Sequence, residues 1–149
     1  MSRTIEEKNK ALALKAFDTL FNKWDYVAAE KCLSPHYIQH SAHIAPGREG
    51  LFNPIKSLPP TLRYEPGPIV AEGDHVIVHG RFSGFGQPVN WIAADVVRVN
   101  DGVLVEHWDV IQDEATREQS KVVNQCSATV SRPNLERADY GSRSESKPV

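Results

Sequence analysis

The chain has 149 residues, which is enough for one domain with its own hydrophobic core. Its net charge of -2 and pI near 6.3 provide no broad basic field, so a small molecule is a more plausible partner than nucleic acid. The polar N-terminus and the absence of a long apolar run disfavour a standard secretion signal and a membrane span, so a cytoplasmic protein is expected.

The N-terminal part of the chain predicts helices. Apolar residues recur at helical spacing over residues 4–21, which is typical of an amphipathic helix. Asp25 can cap a second helix over residues 25–33, which ends at a serine-proline pair because the residue before proline avoids helical angles. An extended or loop-like segment follows. A third helix is expected over residues 48–58, with Pro54 bending or shortening it.

From Thr61 onward the pattern predicts strands. We expect them at residues 62–65, 69–72 and 75–82, followed by a hairpin over residues 89–112. The hairpin turn contains Asn-Asp-Gly, residues that tolerate positive φ. Helices followed by an antiparallel sheet predict an α+β domain, with the helices packed on one face of a curved sheet.

The hairpin carries ionisable side chains among apolar ones, which suggests a pocket. Alternation along its second strand places His107 and Asp109 on one face. With a three-residue loop, Asp95 lies opposite His107, and one patch also includes Trp91. A two-residue loop would shift the register by one and move Asp95 away from His107. We favour the three-residue loop.

The apolar pattern ends near Asp113, beyond which polar residues predominate. We therefore predict one domain over residues 1–113 and a disordered polar tail over residues 114–149. A C-terminal helix around residues 115–124, packed on the body, is the alternative.

Four segments of this chain resemble the SnoaL-like polyketide cyclases of the NTF2-like superfamily. They are Y-I-Q-H-S-A-H at 37–43, P-G-R-E-G at 46–50, A-E-G-D-H-V-I-V-H at 71–79 and D-G-V-L-V-E-H-W-D-V-I-Q at 101–112. The resemblance implies a cone-shaped α+β domain in which the sheet and helices enclose an apolar cavity, usually in a homodimer. Such cones serve cyclases, dehydratases, isomerases, hydrolases and binding proteins, so activity has to be argued from the pocket.

The resemblance also implies roles for the polar patch. In the family's cyclases an aspartate late in the sheet is the general acid/base for an intramolecular aldol ring closure, and Asp109 matches it in the E-H-W-D motif. Asp95 lies where those cyclases use a second polar group, which would give this chain a carboxylate pair. A carboxylate in a dry pocket suits proton transfer. The alternative is an aspartate that only orients His107 or binds a backbone amide.

Four more residues are candidate ligand contacts. His40 lies in the Y-x-Q-H segment that enters the cavity in relatives of this kind, and Tyr37 and Trp91 could line a cavity for a flat ligand. His79 lies on a strand face that is apolar on one side and charged on the other, so the pattern does not decide its direction. A purely structural role is the alternative for each.

No metal or cofactor is expected. His107 and Asp109 begin a metal-ligand pattern, and three histidines lie within residues 36–43, but no histidine follows His107. Cys32 and Cys126 lack metal-site spacing and are expected to remain reduced thiols. The sequence also lacks G-x-S-x-G and a phosphate-binding loop.

The sequence thus predicts a cofactor-independent cyclase, isomerase or dehydratase that moves protons on a small, apolar carbonyl or polyketide-like compound. Asp109 would be the acid/base, and His107 and Asp95 would tune it. The alternative is a noncatalytic ligand-binding or dimerisation module. A pocket faced by Asp109 and His107 would favour the enzyme, and a filled core the module. A homodimer is expected through the outer sheet face around Trp108 and Val110.

Overall fold

The computed structural model describes residues 2–121 and shows helices packed on a curved five-stranded sheet. The helices are α1 Ile5–Phe17, α2 Tyr26–Cys32 and α3 Gly47–Lys56, and the strands are β1 Leu33–Gln39, β2 Arg63–Glu72, β3 His75–Ser83, β4 Trp91–Asn100 and β5 Val103–Asp113. A π-helical turn, Asp18–Asn22, extends α1. The strand order is β1-β5-β4-β3-β2. The predicted α+β cone is therefore confirmed.

Side-chain caps fix the starts of the first two helices. Thr4 and Glu7 form a reciprocal capping box, in which each side chain accepts a hydrogen bond from the other residue's backbone N–H. Asp25 caps α2 by accepting from the Ala28 N–H at 2.9 Å, as the sequence predicted. Pro54 lies inside α3, which ends at Lys56.

The sheet is mixed, whereas the sequence predicted an antiparallel one. β1 begins directly after α2 and runs parallel to β5, with Gln39 opposite His107. The other three strand pairs are antiparallel. β2 is one strand with a register shift between Pro66 and Ile69, where two strands were expected. The parallel pair places the end of β1 beside the ionisable residues of β5.

The hairpin between β4 and β5 has a two-residue turn, so the predicted three-residue loop was wrong. Asn100 pairs with Val103 across the turn. Asp101 and Gly102 have φ angles of 48° and 74°, which suits a tight hairpin turn with two positive φ values.

A β-bulge in β5 compensates for the shorter turn. The turn alone would have placed Asp95 and His107 on opposite faces of the sheet. The register shifts by one residue just after the turn and leaves Val105 unpaired. Asp95 consequently lies opposite Asp109, and His107 shares their inner face. The predicted cluster exists, but its register differs from the one proposed.

The core between helices and sheet includes four interlocked aromatic rings. They belong to Phe17, Phe21, Tyr64 and Phe82, with centroid distances from 4.7 to 5.8 Å. Tyr64 is only 3% exposed. Gly80 lies in β3 directly against the Tyr64 ring, which would overlap any added Cβ.

Gly80→Ala is therefore expected to destabilise the protein by about 1–3 kcal/mol, the usual cost of overpacking a core. Urea denaturation measures the effect. Combining it with Tyr64→Leu should make the added methyl group less costly than it is beside Tyr64. If Gly80→Ala is as stable as the wild type, the close contact does not constrain the fold.

The first residue after β5 packs on the sheet. Arg81 donates two hydrogen bonds to the Glu114 carboxylate, at 2.8 and 3.0 Å, and Asn90 donates a third at 2.9 Å. Residues 122–149 lie outside the described part of the chain, so the expectations of a disordered tail and of a reduced Cys126 remain predictions. Within residues 2–121, no helix is long and apolar enough to cross a membrane.

Candidate active site

An apolar cavity of about 240 Å³ lies between the helices and the inner face of the sheet. This volume is below the ~300 Å³ at which ordinary ligand pockets begin, so it suits a small ligand. Most of its walls are aliphatic or aromatic. The polar residues in the walls are Tyr37, His43, Gln87, Asp95, His107 and Asp109.

Asp95 and His107 form a buried hydrogen-bonded couple in the wall of the cavity. Asp95 and His107 are each 5% exposed, and His107 Nε2 lies 2.8 Å from Asp95 Oδ1. Burial raises the pKa of Asp95, whereas the hydrogen bond with His107 and the charge of the His107 ring lower it. Burial is the largest of these effects. The other carboxylate oxygen, Oδ2, is buried and has no partner among the described residues.

Gln39 holds the other side of the His107 ring. Its Oε1 lies 2.7 Å from His107 Nδ1 and also accepts the Ser41 N–H at 2.9 Å. No sequence motif marks Gln39 as a site residue. Its position in the Y-I-Q-H segment was the available signal, but only the parallel pairing of β1 with β5 brings it to His107.

Asp109 is half-buried and lines the cavity directly across from Asp95. One side-chain atom from each of Asp95, His107 and Asp109 lies within 4.8 Å of the others. No residue within 2–121 donates a hydrogen bond to the Asp109 carboxylate. Asp109 is therefore free to contact a ligand.

The same three residues are the set that could hold a metal ion. Both ring nitrogens of His107 are already in hydrogen bonds, to Asp95 and to Gln39. A metal ion on Nε2 would have to replace the contact with Asp95.

Two of the predicted ligand contacts line the cavity. Tyr37 is 7% exposed, and its pKa lies well above the usual range because of burial and then the charge of Asp95, so its hydroxyl keeps its proton. Trp91 packs against Phe85, with ring centroids 4.7 Å apart. His43, which was considered only as a possible metal ligand, also lines the cavity and lies 5.9 Å from the Trp91 ring.

The other two predicted contacts, His40 and His79, do not line the cavity. His40 follows the inward-facing Gln39 and stacks on Trp108 at 4.9 Å on the outer face, where its Nε2 pairs with Glu106 at 2.7 Å. His79 lies between Val78 and Gly80, which are buried on the inner face, so alternation directs it outward. These placements do not support a ligand-binding role for either histidine.

The fold and the site together define an NTF2-like α+β domain with a polar cluster at one end of an apolar cavity. The family model of the SnoaL-like domain matches residues 14–107, more than half of the chain. The chain belongs to this family. A search of curated proteins found no match.

Solved structures share the fold. AclR from Streptomyces galilaeus, a candidate hydroxylase, is 28% identical with a TM-score of 0.57, and the match covers 70% of this chain and 78% of AclR. A candidate ketosteroid isomerase from Kribbella flavida is 17% identical with a TM-score of 0.64, covering 98% and 96%. A candidate SnoaL-like polyketide cyclase from Jannaschia is 21% identical with a TM-score of 0.62, covering 74% and 90%. The latter two likenesses show the fold alone.

Proposed function

We propose that the protein is a cofactor-independent enzyme that moves protons on a small apolar carbonyl compound, as a cyclase, isomerase or dehydratase. One observation carries this proposal: the Asp109 carboxylate, which has no hydrogen-bond partner within residues 2–121, lines an apolar cavity beside the buried His107 and Asp95 couple. A noncatalytic binding domain gains little from a buried carboxylate whose second oxygen has no partner, because such groups cost free energy.

The three reaction types share one difficult step, which is removal of a proton from carbon next to a carbonyl group. Asp109 is the base for that step, since its carboxylate lines the cavity and none of the described residues competes for it. Tyr37 and the His107 and Asp95 couple are the proton-bearing groups that can stabilise the oxygen of the resulting enolate. The apolar walls exclude water and strengthen these interactions.

Two of the structures that share the fold carry names that fit this class of reaction. Structures of the same fold include one described as a candidate polyketide cyclase and one described as a candidate ketosteroid isomerase. The membership in the SnoaL-like family agrees with it. The substrate of this chain is proposed from its cavity: a compact carbonyl compound with few polar groups.

The test is hydrogen exchange on a probe ketone. The wild-type protein is incubated in D₂O with 2-tetralone, and loss of the α-proton signal is followed by proton NMR. We expect exchange well above the buffer rate, because enolisation needs only the base and the apolar cavity. Binding of 2-tetralone without faster exchange would favour the noncatalytic module over the enzyme.

A further inference from the structure

We propose that Gln39 is a positioning residue whose side-chain oxygen keeps a hydrogen on Nδ1 of His107, so that a single transferable proton is shared between His107 and Asp95. The contacts of Gln39 on β1, at 2.7 Å from the ring and 2.9 Å from the Ser41 N–H, carry this inference. Its catalytic consequence rests on the proposed function, whereas the proton position does not.

The orientation of the Gln39 amide is set by the backbone. The Ser41 N–H is a donor, so the atom that it meets must be the side-chain oxygen and not the NH₂ group. Turning the amide over would place two donors against each other. The Ser41 N–H therefore determines which way the Gln39 amide faces.

The oxygen fixes the histidine tautomer. An amide oxygen carries no hydrogen, so the 2.7 Å contact with His107 requires a hydrogen on Nδ1. If the ring is neutral, Nε2 then has a lone pair facing Asp95 at 2.8 Å, and that contact requires a protonated Asp95. If the ring is an imidazolium, Asp95 is ionised. In either case one proton lies between the two residues and the couple is neutral.

This arrangement separates the roles of the two carboxylates. Asp95 shares its proton with His107, so Asp109 is the carboxylate left to act as the base. In enolisation Asp109 takes the α-proton, and the C–H electron pair becomes the carbon–carbon double bond. The π pair of the carbonyl group moves onto its oxygen, which receives the proton of the couple. The couple then carries one negative charge until the reverse transfer restores it.

Nitrogen-15 NMR of the labelled protein tests the proton position directly. The His107 signals are identified as those lost in His107→Gln. We expect Nδ1 to be protonated in the wild type and in Gln39→Glu, which keeps an acceptor oxygen. In Gln39→Leu we expect a population with the hydrogen on Nε2 only. Ser41→Ala keeps the backbone donor and should retain the wild-type signals.

An unprotonated Nδ1 in the wild type would overturn the proposal, as would identical His107 signals in the wild type and Gln39→Leu. Activity adds a second readout. We expect Gln39→Leu to lower kcat for 2-tetralone exchange roughly 10- to 100-fold with little change in KM. This loss in kcat is smaller than the ~10⁴-fold loss caused by a wrong histidine tautomer in a serine protease triad, because Asp95 still restrains the His107 ring.

Gln39→Glu should retain more of kcat than Gln39→Leu does. Equal losses in the two variants, with unchanged His107 signals, would indicate a packing role and contradict the proposal. If the wild type shows no exchange at all, the proposed function fails, but the nitrogen spectra still decide the position of the hydrogen.

Discussion

Asp109→Asn is expected to lower the rate of 2-tetralone exchange about 10²- to 10⁴-fold, the range that a general base contributes. Asparagine has nearly the same shape as aspartate but no basic oxygen. Within the described residues the Asp109 carboxylate accepts no hydrogen bond, so the substitution should change the free energy of unfolding little. NMR exchange rates and a urea denaturation curve, measured on the same preparation, separate the two effects.

Asp113→Asn is the matched control, because Asp113 ends the same strand and is exposed. This variant should catalyse exchange of the 2-tetralone α-protons at the wild-type rate. Full activity in Asp109→Asn would rule out Asp109 as the base. Equal losses in both variants would point to a general charge effect instead of a specific base.

The second large effect is expected on stability. His107→Leu removes the hydrogen-bond partner of Asp95, a carboxyl group that is only 5% exposed. Breaking a buried charged pair by removing one member costs about 3–5 kcal/mol. Urea denaturation near neutral pH should therefore show His107→Leu to be markedly less stable than the wild type.

The loss should depend on pH through Asp95. Without His107, burial raises the pKa of Asp95 unopposed, so the folded state binds its proton more tightly than the unfolded state does. Stability of the variant therefore falls as the pH rises above the ordinary aspartate value of 3.8, and the deficit is smallest in acid. Denaturation at several pH values measures this slope.

The double variant Asp95→Leu/His107→Leu provides the comparison, because it leaves no unpaired buried charge. It should recover much of the lost stability near neutral pH and lose the part of the pH dependence that Asp95 causes. A double variant as unstable as His107→Leu would mean that the volume of the imidazole, and not the buried charge of Asp95, explains the loss.

Local patterns in the sequence were sufficient for much of the fold. The Asp25 cap and the helical spacing before it act over a few residues, so the helices that they predict do not depend on distant parts of the chain. Alternation along β5 likewise placed His107 and Asp109 on one face. The resemblance of the E-H-W-D segment added the expectation of a cone with a cavity.

The partners of those residues depended on tertiary structure. The register of β4 against β5 combines a two-residue turn with a bulge at Val105. The sequence predicted neither feature, but their effects on the strand faces cancel, so Asp95, His107 and Asp109 still share one face. The position of His40 was predicted wrongly because β1 has no local signal for which of its faces meets the core.

The sequence by itself therefore determined that His107 and Asp109 share one face of β5, because alternation within a strand is a local property. Only the tertiary structure decided what they contact. The parallel pairing of β1 with β5 joins Gln39 to His107 across 68 positions of the chain. Such a contact is selected by packing of the whole domain, since no short-range pattern specifies which strand lies beside which.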